Sequence, residues 1–324
     1  LQAGTITTMV ENVNFVAPDG YSFDPVTHMT FLSNKRWMSF VVTGRYQNAK
    51  AVIEATIARP RLLSNAGIFG ELSLNLQPNV EIFSYDSREL RNPVEGDSTG
   101  DADVGSNHGV IIRPGAFIDG VVLLGSESIV IPVGYDYEVI GEVDADPLGT
   151  VGGPLENAFT YYSVATNNQN AAAGIAGNRL SLGPHDTLTL PGGSYYLVDL
   201  YMPAGSTLIA NGTPTNPVVI YLNGEMKIQP NANINTTNGL PSNLFVFSKS
   251  DQPVTIQPNG DFRAFVYAPF ASVDIKPNVS AYGVFWGKNM YLMPNGNIYI
   301  DTSLLDRFLS CNVELVEWRQ VVLD

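Results

Sequence analysis

The chain has 324 residues, enough for one large all-β unit or two smaller domains with a substantial core. Its 30 glycines, 21 prolines and only 15% charged residues are typical of strands joined by tight turns. The formal net charge of −14 argues against a nucleic-acid partner, because the phosphate backbone is bound by clustered lysine and arginine.

The cysteine count and the hydropathy exclude further classes. The single cysteine, Cys311, makes an intrachain disulfide impossible, and no Cys/His cluster indicates a zinc site. No run approaches the roughly 18 apolar residues of a membrane-spanning helix. Because the first residue is Leu1 rather than methionine, we expect the chain to be the exported portion of a longer precursor.

Residues 1–70 form the first predicted region. Two strand patterns, at 37–43 and 51–58, flank a segment at 44–48 whose residues can turn. The sequence therefore predicts an N-terminal β-hairpin region.

From residue 71 short strand patterns follow one another, interrupted by a polar loop at 88–107 and by a weak stretch at 141–180. Within the weak stretch, the Asn- and Ala-rich residues 167–174 indicate a loop or a single helical turn. The predicted strands before residue 140 are 72–76, 80–82, 110–112, 117–118, 121–124 and 129–133.

A six-residue motif recurs along this region: two apolar residues around a variable one, a spacer residue and then Pro-Asn. The alternation places two apolar side chains on one face of a short strand. Proline ends the strand, and asparagine tolerates the left-handed backbone that turns the chain. The copies end at Asn79, Asn231, Asn259, Asn278 and Asn295, with a looser copy at Pro114-Gly115.

A strand-turn unit that recurs in this way is typical of a solenoid. We therefore predict an all-β fold with a parallel β-helix over residues 71–305, and we expect right-handed coils. The motifs should mark equivalent corners, with their apolar pairs stacked inward. Residues 306–324 leave the repeat, and their alternation predicts a closing strand that caps the solenoid.

Several segments resemble, in order, a bacterial family of exported, PilX-type, pilus-assembly-associated proteins. The C-terminal blocks are Ala264–Val273, Ala281–Lys288 and Asn297–Leu304, similar to the family pattern "YAPnAxV…G…yGaxxgk…gnxxihyD…L". Two earlier segments agree with it: Ser84–Arg88 with Asp103–Asn107, and the hairpin at 40–59.

The resemblance implies an exported β-solenoid linked to pili, found in the periplasm, at the cell surface or outside the cell. Its expected partners are pilus or secretion-system proteins or surface glycans. Membrane contact is expected only through an N-terminal pilin-like helix outside this chain. The resemblance supplies no catalytic residue.

An acidic loop is the candidate metal site. Asp97, Asp101 and Asp103 lie in a Gly/Ser-rich segment, and calcium is bound by six to eight oxygens that such loops supply. The spacing does not match an EF-hand. The sequence leaves two interpretations open, a calcium site formed by these three carboxylates or a solvated acidic loop.

We expect no enzymatic activity. No G-x-S-x-G nucleophile elbow is present, and Asp274 and Lys276, which share one strand face, are explained by a surface ion pair. Two alternatives remain: a carbohydrate-active β-helix enzyme, which needs paired carboxylates, and a calcium-dependent glycan-binding module. Carboxylates lining a groove would favour the enzyme, and a flat aromatic face would favour binding.

Overall fold

The computed structural model describes residues 66–125, 155–257 and 261–305 in full, apart from the side chain of Glu95. It also describes the backbone of residues 22–24, 30–31, 37–46, 49–58, 137–139, 154, 306–309 and 314–321. The predicted strand at 129–133, the corner residues Pro258 and Asn259 of one motif copy and the thiol of Cys311 lie outside the described residues. The chain divides into two compact units, Leu1–Leu62 with Leu309–Asp324, and Leu63–Phe308.

The first unit contains an antiparallel sheet. Its centre is a hairpin of Trp37–Tyr46 and Ala49–Ala58, which confirms the predicted N-terminal hairpin. Short strands at Ser22–Asp24 and Thr30–Phe31 pair with the first hairpin strand. The C-terminal strand, Glu314–Val321, pairs antiparallel with the second. The predicted closing strand is therefore present, and its role as a cap stays a prediction.

The second unit is a parallel β-helix, as predicted. Three parallel stacks of strands run along it, here called ladders 1, 2 and 3. Three long strands bend across corners and belong to more than one ladder: Ile68–Leu76, Asp261–Ile275 and Ser280–Leu292.

The short strands complete the ladders. Ladder 1 contains Val110–Ile112, Arg179–Ser181, Asp199–Met202, Met226–Ile228 and Val254–Ile256. Ladder 2 contains Glu81–Tyr85, Phe117–Ile118 and Asn297–Asp301, and a separate three-stranded parallel sheet occupies its place in the earlier coils, with Thr187–Pro191, Thr207–Asn211 and Asn233–Thr236. Ladder 3 contains Val104–Ser106, Val122–Leu124, Tyr137–Val139, Gly193–Leu197, Val218–Leu222 and Leu244–Ser248.

The coils are not stacked in chain order. From residue 179 they follow the chain up to Asn297–Asp301, and the strand next to Asn297–Asp301 is Glu81–Tyr85. Likewise Ile68–Leu76 pairs with Ser280–Leu292. The first coil of the solenoid is therefore stacked on the last one, at a junction that we call the seam.

The interior confirms the predicted inward pairs. Val254 pairs in register with Val273, which pairs with Met290, and all three are fully buried. The second residues of the pairs, Ile256 and Leu292 among them, are buried in the same way. Each coil thus contributes apolar side chains to one continuous core, which is the main stabilising contribution in a stacked solenoid.

The motif asparagines turn the chain at equivalent corners, also as predicted. Asn79, Asn231, Asn278 and Asn295 have φ between 57° and 64°, in the left-handed region. Gly115, of the looser copy, occupies the same corner with φ 80°. A β-carbon there would lie 2.4 Å from Oδ1 of Asn79, so a larger residue at this corner would displace the asparagine side chain.

Neither α-helix of the described residues was predicted. α1, Pro154–Ser163, lies where the sequence pattern is weakest, and Phe159 packs edge-on against Tyr196 and Tyr221 of ladder 3. The following Asn-rich loop hydrogen-bonds to the coil that starts at residue 179, where the Asn170 side chain bonds with both backbone groups of Tyr196. The helix and the loop together cover the end of ladder 3 that begins with Gly193–Leu197, so the loop has a capping role.

The remaining helices are short. α2 spans Thr302–Leu309, and 3₁₀ turns lie at Glu95–Asp97, Thr237–Gly239 and Pro241–Asn243. In the described part of the chain, no helix has the length and apolar character needed to cross a bilayer.

Candidate functional site

A row of stacked side chains lies on the outer side of ladder 2, next to the seam. The guanidinium carbon of Arg263 is 3.8 Å from the ring centre of Tyr282. The ring of Tyr282 stacks on Tyr299 at 4.7 Å and 9°, which is the spacing of neighbouring strands. The ring of Phe83, across the seam, follows at 5.7 Å from Tyr299. Although they point away from the interior, all four are at most 8% exposed.

Arg263 binds the loop that covers this row. Its guanidinium donates to the backbone oxygens of Arg91 at 2.8 Å and Gly239 at 3.1 Å, and to Oδ1 of Asn92 at 3.1 Å. It also forms an ion pair with Asp261 at 2.6 Å. A buried guanidinium is stable only when its donors are paired, and here most of its partners belong to loops. Arg263 therefore holds the loop after Tyr85 against the solenoid.

Asp301 is the last residue of the ladder 2 strand Asn297–Asp301, and it caps α2. Its Oδ1 accepts hydrogen bonds from the backbone N–H of Ser87 at 3.1 Å and from the backbone N–H and hydroxyl of Ser303 at 3.2 and 2.7 Å. Its Oδ2 and the hydroxyl of the neighbouring Tyr85 are buried and have no hydrogen-bond partner among the described residues.

Burial raises the pKa of the Asp301 carboxyl, and the hydrogen bonds from Ser303 and Ser87 offset this only in part. Burial also raises the pKa of the Tyr85 phenol, and the Asp301 carboxylate raises it further. Burial therefore disfavours the charged form of both groups. Asp301 has a structural role, since its Oδ1 joins the seam to the start of α2.

A cavity of about 310 Å³ lies beside this cluster, within the solenoid unit. It is formed where loops from several coils meet at the start of α2. Its lining residues are Ser87, Arg88, Arg91, Pro214, Leu240, Ser242, Ser303 and Leu304.

The cavity combines cationic groups with hydroxyls. Arg88 is held by a two-point ion pair with Asp86. The Arg91 side chain is exposed and makes no hydrogen bond or ion pair in the part of the chain that the structure describes. The Ser303 hydroxyl donates to Asp301, so the hydroxyl of Ser87, 3.0 Å from that of Ser303, must act as the donor between them. The lone pairs of Ser87 then remain available as acceptors.

Two of the three predicted calcium ligands accept hydrogen bonds from backbone amides. Oδ2 of Asp97 accepts the N–H of Val94 at 3.0 Å, and Oδ1 of Asp103 accepts that of Val121 at 2.9 Å. Asp101 donates its backbone N–H to the hydroxyl of Ser84. Within the described ranges, no three His, Cys, Asp or Glu side chains are grouped to hold a metal. The calcium hypothesis stays a prediction, which the melting temperature in millimolar calcium tests.

Other predicted features have simple structural roles. Lys276 and Asp274 form the predicted ion pair, at 3.0 Å. The blocks Ser84–Arg88 and Asn297–Leu304, which are distant in sequence, lie together across the seam. Sequence reasoning missed the cluster of Tyr85 and Asp301, and the only signal for it was that both residues fall inside blocks of the family resemblance.

The chain is similar to one family model and to several solved structures. A family model described as a domain of unknown function, DUF7305, matches residues 198–307, which include the ladder 2 strand Asn297–Asp301 and the start of α2. No curated protein matches the chain.

Three solved structures are similar over much of the chain. The competence-associated pilin ComZ from Thermus thermophilus is 13% identical over 96% of this chain and 90% of its own, with a TM-score of 0.39. An ice-binding protein from an Antarctic Biological Consortium is 15% identical over 74% and 85%, with a TM-score of 0.32. An ice-binding protein from Arctic yeast is 14% identical over 73% and 91%, with a TM-score of 0.37. At these TM-scores the fold assignment rests on the strand registers of this chain itself.

Proposed function

We propose that this protein is an exported, PilX-type, pilus-associated surface component that presents a rigid β-solenoid in a structural or adhesive role. It works in the periplasm, at the cell surface or outside the cell. Its partners are pilus or secretion-system proteins, or surface glycans.

The observation that carries the proposal is how the solenoid is attached. Ala58 and Glu314 are paired neighbours in the antiparallel sheet of the first unit. The whole solenoid unit, Leu63–Phe308, is inserted between them. Chain ends that lie close together are the arrangement in which one domain is inserted into another and folds as a unit of its own. This suits a protein that joins an assembly through one unit and displays the other.

The segments that resemble the pilus-associated family have structural roles, which supports the same proposal. Asp301 caps a helix, and Tyr282 and Tyr299 stack beneath a loop that Arg263 holds. These residues have contacts that build and close the solenoid, so the pattern shared with the pilus-associated family describes a scaffold.

The test is fractionation of cells that carry the full-length gene. Pili sheared from the cells should contain the protein, and the sheared fraction of a strain without the major pilin should lack it. Recovery of the protein from the cytosol in both strains would contradict the proposal.

A further inference from the structure

We propose that the cavity beside Asp301 binds one acidic monosaccharide unit, such as a uronic acid, at the end of or within a surface polysaccharide. This deepens the adhesive role and rests on it for its biological setting. The binding itself is a property of the purified protein.

The volume of the cavity limits the size of the ligand. Its volume of about 310 Å³ is near the lower end of small-molecule sites, which span roughly 300–1,000 Å³. It therefore fits one sugar ring with its substituents, while the rest of a longer chain would remain outside.

The charge of the cavity selects an acid. The protein as a whole is strongly acidic, with a formal net charge of −14, yet two arginines line this cavity. Arg91 carries an exposed guanidinium with no partner among the described residues. Its backbone oxygen is fixed by Arg263, so the loop that carries it is held in place. A planar guanidinium donates two parallel hydrogen bonds to a carboxylate, which makes Arg91 the carboxylate partner.

The hydroxyl groups and apolar walls select a sugar over a simple anion. The hydroxyl of Ser87 presents free lone pairs, because its proton goes to Ser303. The hydroxyl of Ser242 makes no hydrogen bond within the described residues and can donate or accept. Leu240 and Pro214 supply apolar surface for the C–H side of a ring. A carboxylate, neighbouring hydroxyls and an apolar ring face occur together in acidic sugars.

Calorimetric titration of the purified full chain with oligogalacturonate tests the proposal. We expect saturable binding that weakens at least tenfold in Arg91→Gln and several-fold in Ser242→Ala, since a charge-assisted contact is the stronger of the two. The matched control is Arg113→Gln, which removes an exposed arginine that does not line the cavity and should bind as the unaltered protein does.

Two further ligands make the outcome specific. Methyl-esterified oligogalacturonate lacks the charge and should bind at least tenfold more weakly, and inorganic sulfate should not compete at equal concentration. Absent binding, equal binding by Arg91→Gln, or full competition by sulfate would each overturn the acidic-sugar site. These results would leave the fractionation test untouched, so failure of this site and failure of the pilus role are distinguishable.

Discussion

The side-chain amide of Asn79 donates a hydrogen bond to Oδ1 of Asn295 at 3.2 Å, although 216 positions separate the two residues. The amide of Asn295 in turn lies 3.5 Å from Oδ1 of Asn278. The row of corner asparagines therefore continues across the seam, where the first coil of the solenoid meets the last. A local turn motif thus also joins segments that are distant in the chain.

The corner asparagines should contribute to stability through both backbone conformation and side chain. We expect Asn295→Ala to lower the free energy of unfolding by about 1–2 kcal/mol, because alanine is strained in the left-handed region. Asn295→Gly should cost less, since glycine keeps the conformation and loses only the amide bonds. Denaturant unfolding measures both, with Asn235→Ala, at an exposed strand position, as the control. Equal and negligible effects of the two Asn295 changes would contradict this role.

Arg263 should hold the loop over ladder 2. Arg263→Gln leaves the backbone oxygens of Arg91 and Gly239 without their donor, so we expect a loss of about 1–3 kcal/mol. Arg179→Gln removes an exposed ion pair with Asp199 and should cost less than about 1 kcal/mol. Limited proteolysis should cut the 86–103 loop faster in Arg263→Gln alone. Unchanged proteolysis would show that Arg263 does not hold the loop.

Asp301 should make stability depend on pH. Its pKa is raised in the folded protein, so the fold binds this proton more tightly than the unfolded chain does, and stability falls as pH rises above about 3.9. Asp301→Asn keeps the acceptor for Ser87 and Ser303 and cannot ionise. Its stability relative to the unaltered protein should therefore increase between pH 4 and 7. A constant difference across this range, measured by denaturant unfolding, would contradict a raised pKa.

We predict that the protein cleaves no polysaccharide. The carboxyl of Asp301 is fully buried and its Oδ1 caps α2, and the side chains of Asp97 and Asp103 accept hydrogen bonds from backbone amides. A screen of pectins, alginates and glycosaminoglycans should show no turnover. Turnover that a single Asp→Asn change abolishes would favour the carbohydrate-active alternative.

The sequence predicted the features that depend on neighbouring residues. The alternation in Val254–Ile256 and the left-handed asparagine at 295 are set within a few positions, and both are observed. The seam was not predictable, because nothing near Glu81–Tyr85 indicates Asn297–Asp301 as its partner.

α1 was missed for a different reason. Leu155, Phe159 and Tyr162 have the spacing of one helix face, and Pro154 suits a first helical position. The helix has ten residues, and the flanking glycines and asparagines favoured a loop. Its apolar face is stabilised by packing on Tyr196 and Tyr221, which only the folded solenoid brings together.

The central claim is that the solenoid is displayed outside the cytoplasm, and chemical labelling of cells tests it most directly. The full-length gene would carry Cys311→Ser together with Asn235→Cys, an exposed position, or Ile234→Cys, a buried one. A membrane-impermeant maleimide should label the Asn235→Cys protein without lysis of the cytoplasmic membrane and should leave the Ile234→Cys protein unlabelled. Labelling of Asn235→Cys only after that membrane is lysed would contradict the account.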